Sequence, residues 1–209
     1  MNMQKTKDIS PYRQQLKAQI IDTAMKAFAE RGVRGVRMDE VASSLGISKR
    51  TLYEIYDTKE VLLYEGLKKY ATRREEEIAA TSKQCKNVME IMLTIYKLKV
   101  EESQHVNIQF YKDVVKYPMV LQFMQEYNQR NRELSQQFIK RGIEEGYFRQ
   151  DLDYELAGRL FEALGQYVLY NQLYEKYTIQ EIFHNMVFVS LRGVCTEKGI
   201  TELDSIIKG

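Results

Sequence analysis

Apolar residues return every three or four positions along most of this chain, and helices are the elements such spacing predicts. From Ser10 to Arg31, the residues Leu16, Ile20, Ala24, Ala27 and Phe28 form one apolar face. Ser10 is placed to cap that helix, Pro11 suits its first turn, and Gly32 can end it in the left-handed conformation. Met89, Met92, Tyr96 and Val100 mark a helix over Val88–Val100, and a segment near Val106–Tyr117 stops at Pro118. Met119–Glu145 reads as one long helix through Val120, Met124, Tyr127, Asn131, Leu134 and Phe138, with Gly146 as its stop. Asp153 caps a helix to about Tyr174, Thr178 caps another to about Glu197, and a short amphipathic tail follows from Thr201. The predicted fold class is all-α.

The stretch Gly35–Leu63, GVRMDEVASSLGISKRTLYEIYDTKEVLL, carries the most specific pattern. Met38, Val41, Ala42 and Leu45 share one side of a short helix, and small Ala42 lets a second helix approach. Gly46 breaks the helix and tolerates positive φ. Ile47 anchors the turn, and Ser48 can accept from the free N–H groups of the next helix, Lys49–Tyr56. That helix buries Leu52, Ile55 and Tyr56 and leaves Lys49, Arg50, Thr51, Tyr53 and Glu54 outward. Asp57, ahead of Lys59 and Glu60, reads as a capping-box-like start for the following helix. Helix, glycine turn and capped helix make a helix-turn-helix pattern, whose second helix enters a major groove. Lys49 and Arg50 can donate to guanine or phosphate, and Thr51 offers a hydroxyl and a methyl. Tyr53 can reach a phosphate, and Lys59 sits at a helix N-terminus suited to one. The competing reading is an ordinary helical hairpin whose Lys and Arg only solvate its face.

The segment from about Gln19 to Gly66 resembles the DNA-binding domain of the TetR family of bacterial transcriptional regulators. The matching pieces are IIDTAMKAFAERG and DEVASSLGISKRTLYEIYDTKEVLL. A weaker likeness lies in GIEEGYFRQDLDYELAGRLFEAL, which resembles the C-terminal dimerisation region of that family. The resemblance implies a helix-turn-helix domain over residues 1–66 and a larger helical ligand-binding and dimerisation domain over 67–209. It implies a homodimer on a near-palindromic double-stranded operator, released when a small molecule enters each body, with repression as the default. By family match Tyr53 and Lys59 touch phosphates, and Lys49, Arg50 and Thr51 face the groove beside the capping Ser48. Arg37 stands where a Ser or Thr usually caps, so the cap is weaker while the cation still reaches a phosphate. Arg50 replaces a residue that is commonly small, which points to a different base preference.

The region after residue 75 is rich in Met, Phe and Tyr. Met92, Tyr96, Phe110, Phe123, Tyr127, Phe161 and Tyr170 are candidates to line an effector pocket, with Gln109, Asn131 and Gln166 as polar anchors. An apolar or aromatic effector suits that composition. The helix from Asp153 has two apolar stripes, one through Leu156, Leu160, Ala163, Tyr167, Tyr170 and Tyr174, the other through Ala157, Phe161, Leu164 and Val168. The next helix pairs Met186, Val189 and Gly193 with Phe183, Ser190 and Val194. Two such helices predict a two-fold four-helix interface, with burial inside one monomer as the alternative.

Charge and composition narrow the remaining classes. Residues 1–75 hold 15 Lys/Arg against 10 Asp/Glu, a basic head on a slightly acidic body. Only 11 Gly and 2 Pro in 209 residues disfavour turn-rich sandwiches and barrels. His105 and His184 have no Cys, Asp or His at ligand or triad spacing, and no phosphate-binding glycine loop, GxSxG or HExxH occurs. No catalytic activity, metal or cofactor is therefore expected. Cys85 and Cys195 make neither a disulfide framework nor a zinc pair, which suits a reducing compartment. No apolar run exceeds four residues and no secretory signal is recognisable, so a cytoplasmic protein away from membranes is expected. A helical ligand-binding or protein-interaction module without DNA binding is the other functional class compatible with this composition.

Overall fold

The computed structural model describes residues 11–208. The expected cap Ser10 lies outside the described residues. Helix α1 (Pro11–Arg31) buries Leu16, Ile20, Ala24 and Phe28. Gly32, at φ +75°, closes it by donating its N–H to Phe28 O (2.9 Å). Helices α2 (Met38–Ser44) and α3 (Lys49–Ile55) follow, then α4 (Lys59–Gln84), which leads into the body. Val33, Val36, Val41, Ala42, Leu52, Tyr56, Leu62 and Leu63 complete the first core. Full burial of the Val, Leu, Ile and Phe side chains among these contributes ~1.5–3 kcal/mol each.

The body contains α5 (Val88–His105), α6 (Ile108–Val114), α7 (Pro118–Arg130), α8 (Arg132–Glu144) and α9 (Tyr154–Tyr170). It ends with α10 (Ile179–Ile182), α11 (Phe188–Val194) and α12 (Glu197–Lys208). A second core gathers Val88, Met89, Phe148, Phe188, Cys195 and Leu203. Val114 and Val120 leave the body to join the first core, so α6 and the start of α7 pack against the head. Among the described residues no helix is long and apolar enough to cross a membrane.

Several boundaries differ from the sequence reading, each for a local reason. The expected single helix Met119–Glu145 is broken at Asn131, whose backbone (φ −81°, ψ 3°) leaves the α region. Asparagine competes with helix through its own side chain. Pro118 starts α7 at a position where it lacks nothing, and the preceding helix is shorter than Val106–Tyr117. The helix capped by Asp153 stops at Tyr170, four residues early, because Gln172 turns left-handed (φ 53°). Thr58, not Asp57, caps α4 by accepting from Val61 N–H (3.1 Å). Glu60 is then the second residue of the helix rather than the third and so stands outside a capping box, and its carboxylate accepts from Met119 N–H (2.9 Å). The tail begins at Glu197 rather than Thr201.

The rod from Thr178 is also interrupted. Thr178 and Glu181 form a true capping box, but Phe183–Val187 is a π-turn in which Phe188 N–H reaches back to Phe183 O. Residues five apart on a plain α-helix point roughly 140° away from each other. The wider turn lets Phe183 and Phe188 both pack on Tyr96, the first tilted and the second edge-on, at 5.3 and 5.1 Å between ring centroids.

Candidate nucleic-acid interface

The helix-turn-helix is assembled from local bonds. Gly46, at φ +64°, donates to Ser43 O (3.1 Å), and Ile47 N–H donates to Ala42 O (3.1 Å). A Cβ at Gly46 would meet no atom, so glycine is required there by backbone conformation alone. Ser48 Oγ accepts from Thr51 N–H (3.0 Å) and shares a second hydrogen bond with Thr51 Oγ1 (2.8 Å). Leu52 is fully buried beneath α3, and Tyr53 is 40% exposed on its outer side. Ser48, Lys49 and Arg50 are exposed, while Thr51 is half-buried.

The cations on this face have intramolecular partners. Lys49 Nζ lies 3.0 Å from the Asp39 carboxylate of α2 and 5.8 Å from the Tyr53 ring centroid. The hydrogen bond that Lys49 donates to Asp39, and then the charge of that carboxylate, raise the Lys49 pKa and keep it cationic. Arg50 pairs with Glu54 at 2.9 Å, one helical turn on, with its side chain 88% exposed. Pairs this exposed are worth little and are easily exchanged for phosphate. Arg37 is exposed and precedes α2 with no side-chain cap bond, in line with the weak cap read from sequence.

Lys59 sits differently from the expectation. Its Nζ donates to Val33 O (3.1 Å), and burial lowers its pKa. It is half-buried against the α1–α2 turn rather than extended toward solvent. Sequence reasoning did not single out Asp39 or Glu54 as the partners of Lys49 and Arg50. It also passed over Arg34, exposed on the α1–α2 turn; the signal was the three-residue spacing of Arg31, Arg34 and Arg37.

Behind the head, a cavity of about 1700 Å³ opens between α4, α5, α8, α9 and the π-turn rod. Met92, Tyr96, Tyr127, Asn131, Phe161, Gln166 and Tyr170 line it. Burial pushes the Tyr127 hydroxyl pKa up. The structure places the other three pocket candidates elsewhere. Gln109 is exposed, with its Cγ close to Gly32 at the head. Phe110 packs against the head core. Phe123 is 6% exposed and meets Tyr64 edge-on at 5.7 Å. The shift follows from α6 and α7 docking on the head, which turns Phe110 and Phe123 toward the head while Leu121, Met124 and Tyr127 of α7 face the cavity.

Helix α9 has no buried residue. Ala157, Phe161 and Leu169 face the cavity. On its other side Leu156 (66%), Leu160 (54%) and Tyr167 (54%) are exposed, with Ala163 among them, and Tyr170 (87% exposed) stands at the cavity rim. Val189 on α11 is 60% exposed, Gly193 has open space above it, and Met186 and Ser190 are half-buried. Phe183, expected on the same outer surface, faces inward onto Tyr96, because the π-turn changes the register between it and Ser190.

Comparison with known proteins bears on this arrangement. A model of the bacterial regulatory proteins, tetR family, matches residues 20–65. The HTH-type transcriptional repressor KstR2 of Rhodococcus jostii is 30% identical over 149 residues, spanning 68% of this chain and 72% of that protein. A crystal structure of a transcriptional regulator from Cytophaga hutchinsonii shares the fold with a TM-score of 0.68 at 23% identity, covering 87% of this chain and 99% of that one. The ketosteroid transcriptional regulator KstR2 of Mycobacterium tuberculosis does so with a TM-score of 0.53, also at 23% identity, over 87% and 96%. With its helix-turn-helix and larger helical body, the chain belongs to the tetR family of bacterial regulatory proteins and is a DNA-binding transcriptional repressor.

Proposed function

We propose that the repressor acts in the cytoplasm as a homodimer on an operator with two half-sites and leaves it when an apolar or aromatic effector fills the body cavity. The observation that carries this reading is the double character of α9: one face lines the 1700 Å³ cavity while the other presents unpartnered apolar side chains. A helix apolar on two sides, in a protein of this family, supports pairing with a second copy through α9 and α11. Leu156, Leu160, Ala163 and Tyr167, with Met186, Ser190 and Gly193, would form that interface. One structural relative is named for ketosteroids, compounds of apolar character, which accords with an apolar effector.

In this reading the head, residues 1–66, meets the major groove with α3. Lys49, Arg50 and Thr51 face base edges, and Ser48, Tyr53 and Arg37 border the phosphates. Lys59 joins them by exchanging the Val33 carbonyl for a phosphate oxygen. Two α3 helices must stand about 34–36 Å apart to enter successive grooves. Helix α4, 26 residues and roughly 39 Å long, links each head to its body, so a small tilt at the cavity changes that spacing. A preference of the effector for the unproductive spacing by ~1–3 kcal/mol is sufficient.

The test has two arms. Mobility shifts at two salt concentrations should show binding to an upstream duplex that falls steeply with salt, as counterion release requires. A thermal-shift screen should find stabilising apolar or aromatic compounds that also release the duplex. Stabilisation by small, highly polar metabolites alone would refute the effector assignment.

A further inference from the structure

The peptide bond between Val33 and Arg34 is gripped at both ends by side chains from other elements. Its carbonyl accepts from Lys59 Nζ at the start of α4 (3.1 Å). Its N–H donates to Asp113 Oδ2 on α6 (2.8 Å). The peptide dipole therefore lies with its negative end on an ammonium and its positive end on a carboxylate, an arrangement that lowers its electrostatic energy.

Asp113 is fully buried, and its second oxygen, Oδ1, makes no hydrogen bond. The Lys116 ammonium, 3.5 Å from Oδ1, offsets its charge. A buried carboxylate held half-satisfied costs stability, so its presence calls for a role beyond packing. The surroundings are built for close approach. A Cβ on Gly32 would stand 3.1 Å from Asp113 Oδ2 and 2.7 Å from Gln109 Cγ, so glycine lets α6 press against the turn. Asn107 N–H donates to Ala29 O (2.7 Å), a second tie between α6 and α1.

The other side of α6 belongs to the body. Lys112 lines the cavity and pairs with Glu175 at 2.8 Å, just beyond α9, and Tyr111 stacks on Tyr174 (5.8 Å). Three consecutive residues thus hold two separate parts of the molecule: Tyr111 and Lys112 the segment after α9, Asp113 the turn that carries Arg34.

We infer that Asp113 is a positioning residue for operator binding: from α6 it fixes the Val33–Arg34 peptide opposite Lys59 and so places the exposed cations Arg34 and Arg37 for phosphate contact. The inference rests on the DNA-binding reading of the head. Asp113 itself touches no DNA. A movement of α6 withdraws the carboxylate, frees the turn and removes ordered cations from the interface.

The experiment uses the full chain and a duplex selected from a random-sequence library on the wild-type protein, with affinity measured by fluorescence anisotropy across a salt series. Asp113→Ala leaves the Arg34 N–H without its acceptor; affinity should fall about tenfold, and the plot of log affinity against log salt should become shallower by about one. Asp113→Asn keeps an oxygen for that N–H; it should return to within about threefold of wild type, with the wild-type slope. Loss of affinity in the alanine variant with an unchanged slope would mark a merely structural residue and overturn the assignment. So would an alanine variant that binds like wild type, or an asparagine variant that fails with it. If the alanine variant does not fold, hydrogen exchange on the wild type decides. Strong protection of the Arg34 amide supports the clamp, and exchange at the rate of an exposed turn refutes it. A wild-type protein that selects no sequence would refute the DNA-binding reading itself.

Discussion

Lys49 Nζ and the Asp39 carboxylate stand 3.0 Å apart, so the first residue of α3 is tethered to the helix before it. In the proposed DNA complex, phosphates would compete with that carboxylate for the same ammonium. Asp39→Asn removes the competitor and one negative charge from the face. The variant should bind duplexes a few-fold more tightly at low salt, with the gain shrinking as salt rises, because both effects are screened. Titration by anisotropy checks this, and weaker binding at low salt would show that the pair instead pre-orders Lys49.

Tyr53 and Arg50 should separate affinity from preference. Tyr53→Ala removes an exposed phenol expected at a phosphate and should weaken all sequences by a similar factor, about five- to tenfold. Arg50→Ala should change which sequences emerge from a random-library selection. An unaltered preference in the Arg50 variant would move base reading elsewhere on α3.

The apolar outer face of α9 makes a sharp prediction about assembly. Leu160 is already 54% exposed in the single chain, so Leu160→Glu should leave the fold intact. Placed at a two-fold interface, the same change sets like charges together in an apolar seam. Light scattering should then report a monomer, and operator affinity should fall about a hundredfold as bivalent contact is lost. A dimer that survives this substitution would place the interface on another surface.

Glu181 links stability to pH. The Thr178 backbone N–H, and then its hydroxyl, hold the carboxyl below its ordinary range. A depressed native pKa adds stability that is present above the unfolded value and disappears as pH falls through the folded one. Denaturation of wild type and Glu181→Gln should therefore differ at neutral pH and converge in acid. A difference that is independent of pH would assign the effect to shape rather than charge.

What was legible in the sequence follows from the range of the interactions involved. The helix-turn-helix rests on contacts within a few residues: Gly46 needs positive φ, Ser48 bonds Thr51, and Leu52 falls on the buried face. Each of those needs is met by a residue type at a fixed offset, so the pattern could be read directly. The cap at Asp153 was legible for the same reason, since its carboxylate accepts from Glu155 and Leu156 N–H. The tie between Asp113 and Arg34 spans 79 positions and leaves no local signature. Lys59 turned back because a carbonyl from the α1–α2 turn lay within reach, which only packing decides. Asn131 and the π-turn at Phe183–Val187 escaped because a periodic apolar pattern continues across both. Phe123 and Phe110 looked like pocket residues by type, and the docking of α6 and α7 on the head decided otherwise.

The π-turn has a consequence for the length of this rod. Each residue added to or removed from a helix swings everything after it by about 100° around the axis. Deleting one residue from Phe183–Val187 would restore ordinary winding and set Phe183 and Phe188 four apart, within roughly 40° of each other on one side of the rod, so that both still face Tyr96. The segment is therefore more tolerant of a single deletion than the regular helix on either side of it. The spare residue gears the aromatic inner half to the smooth outer half of one rod.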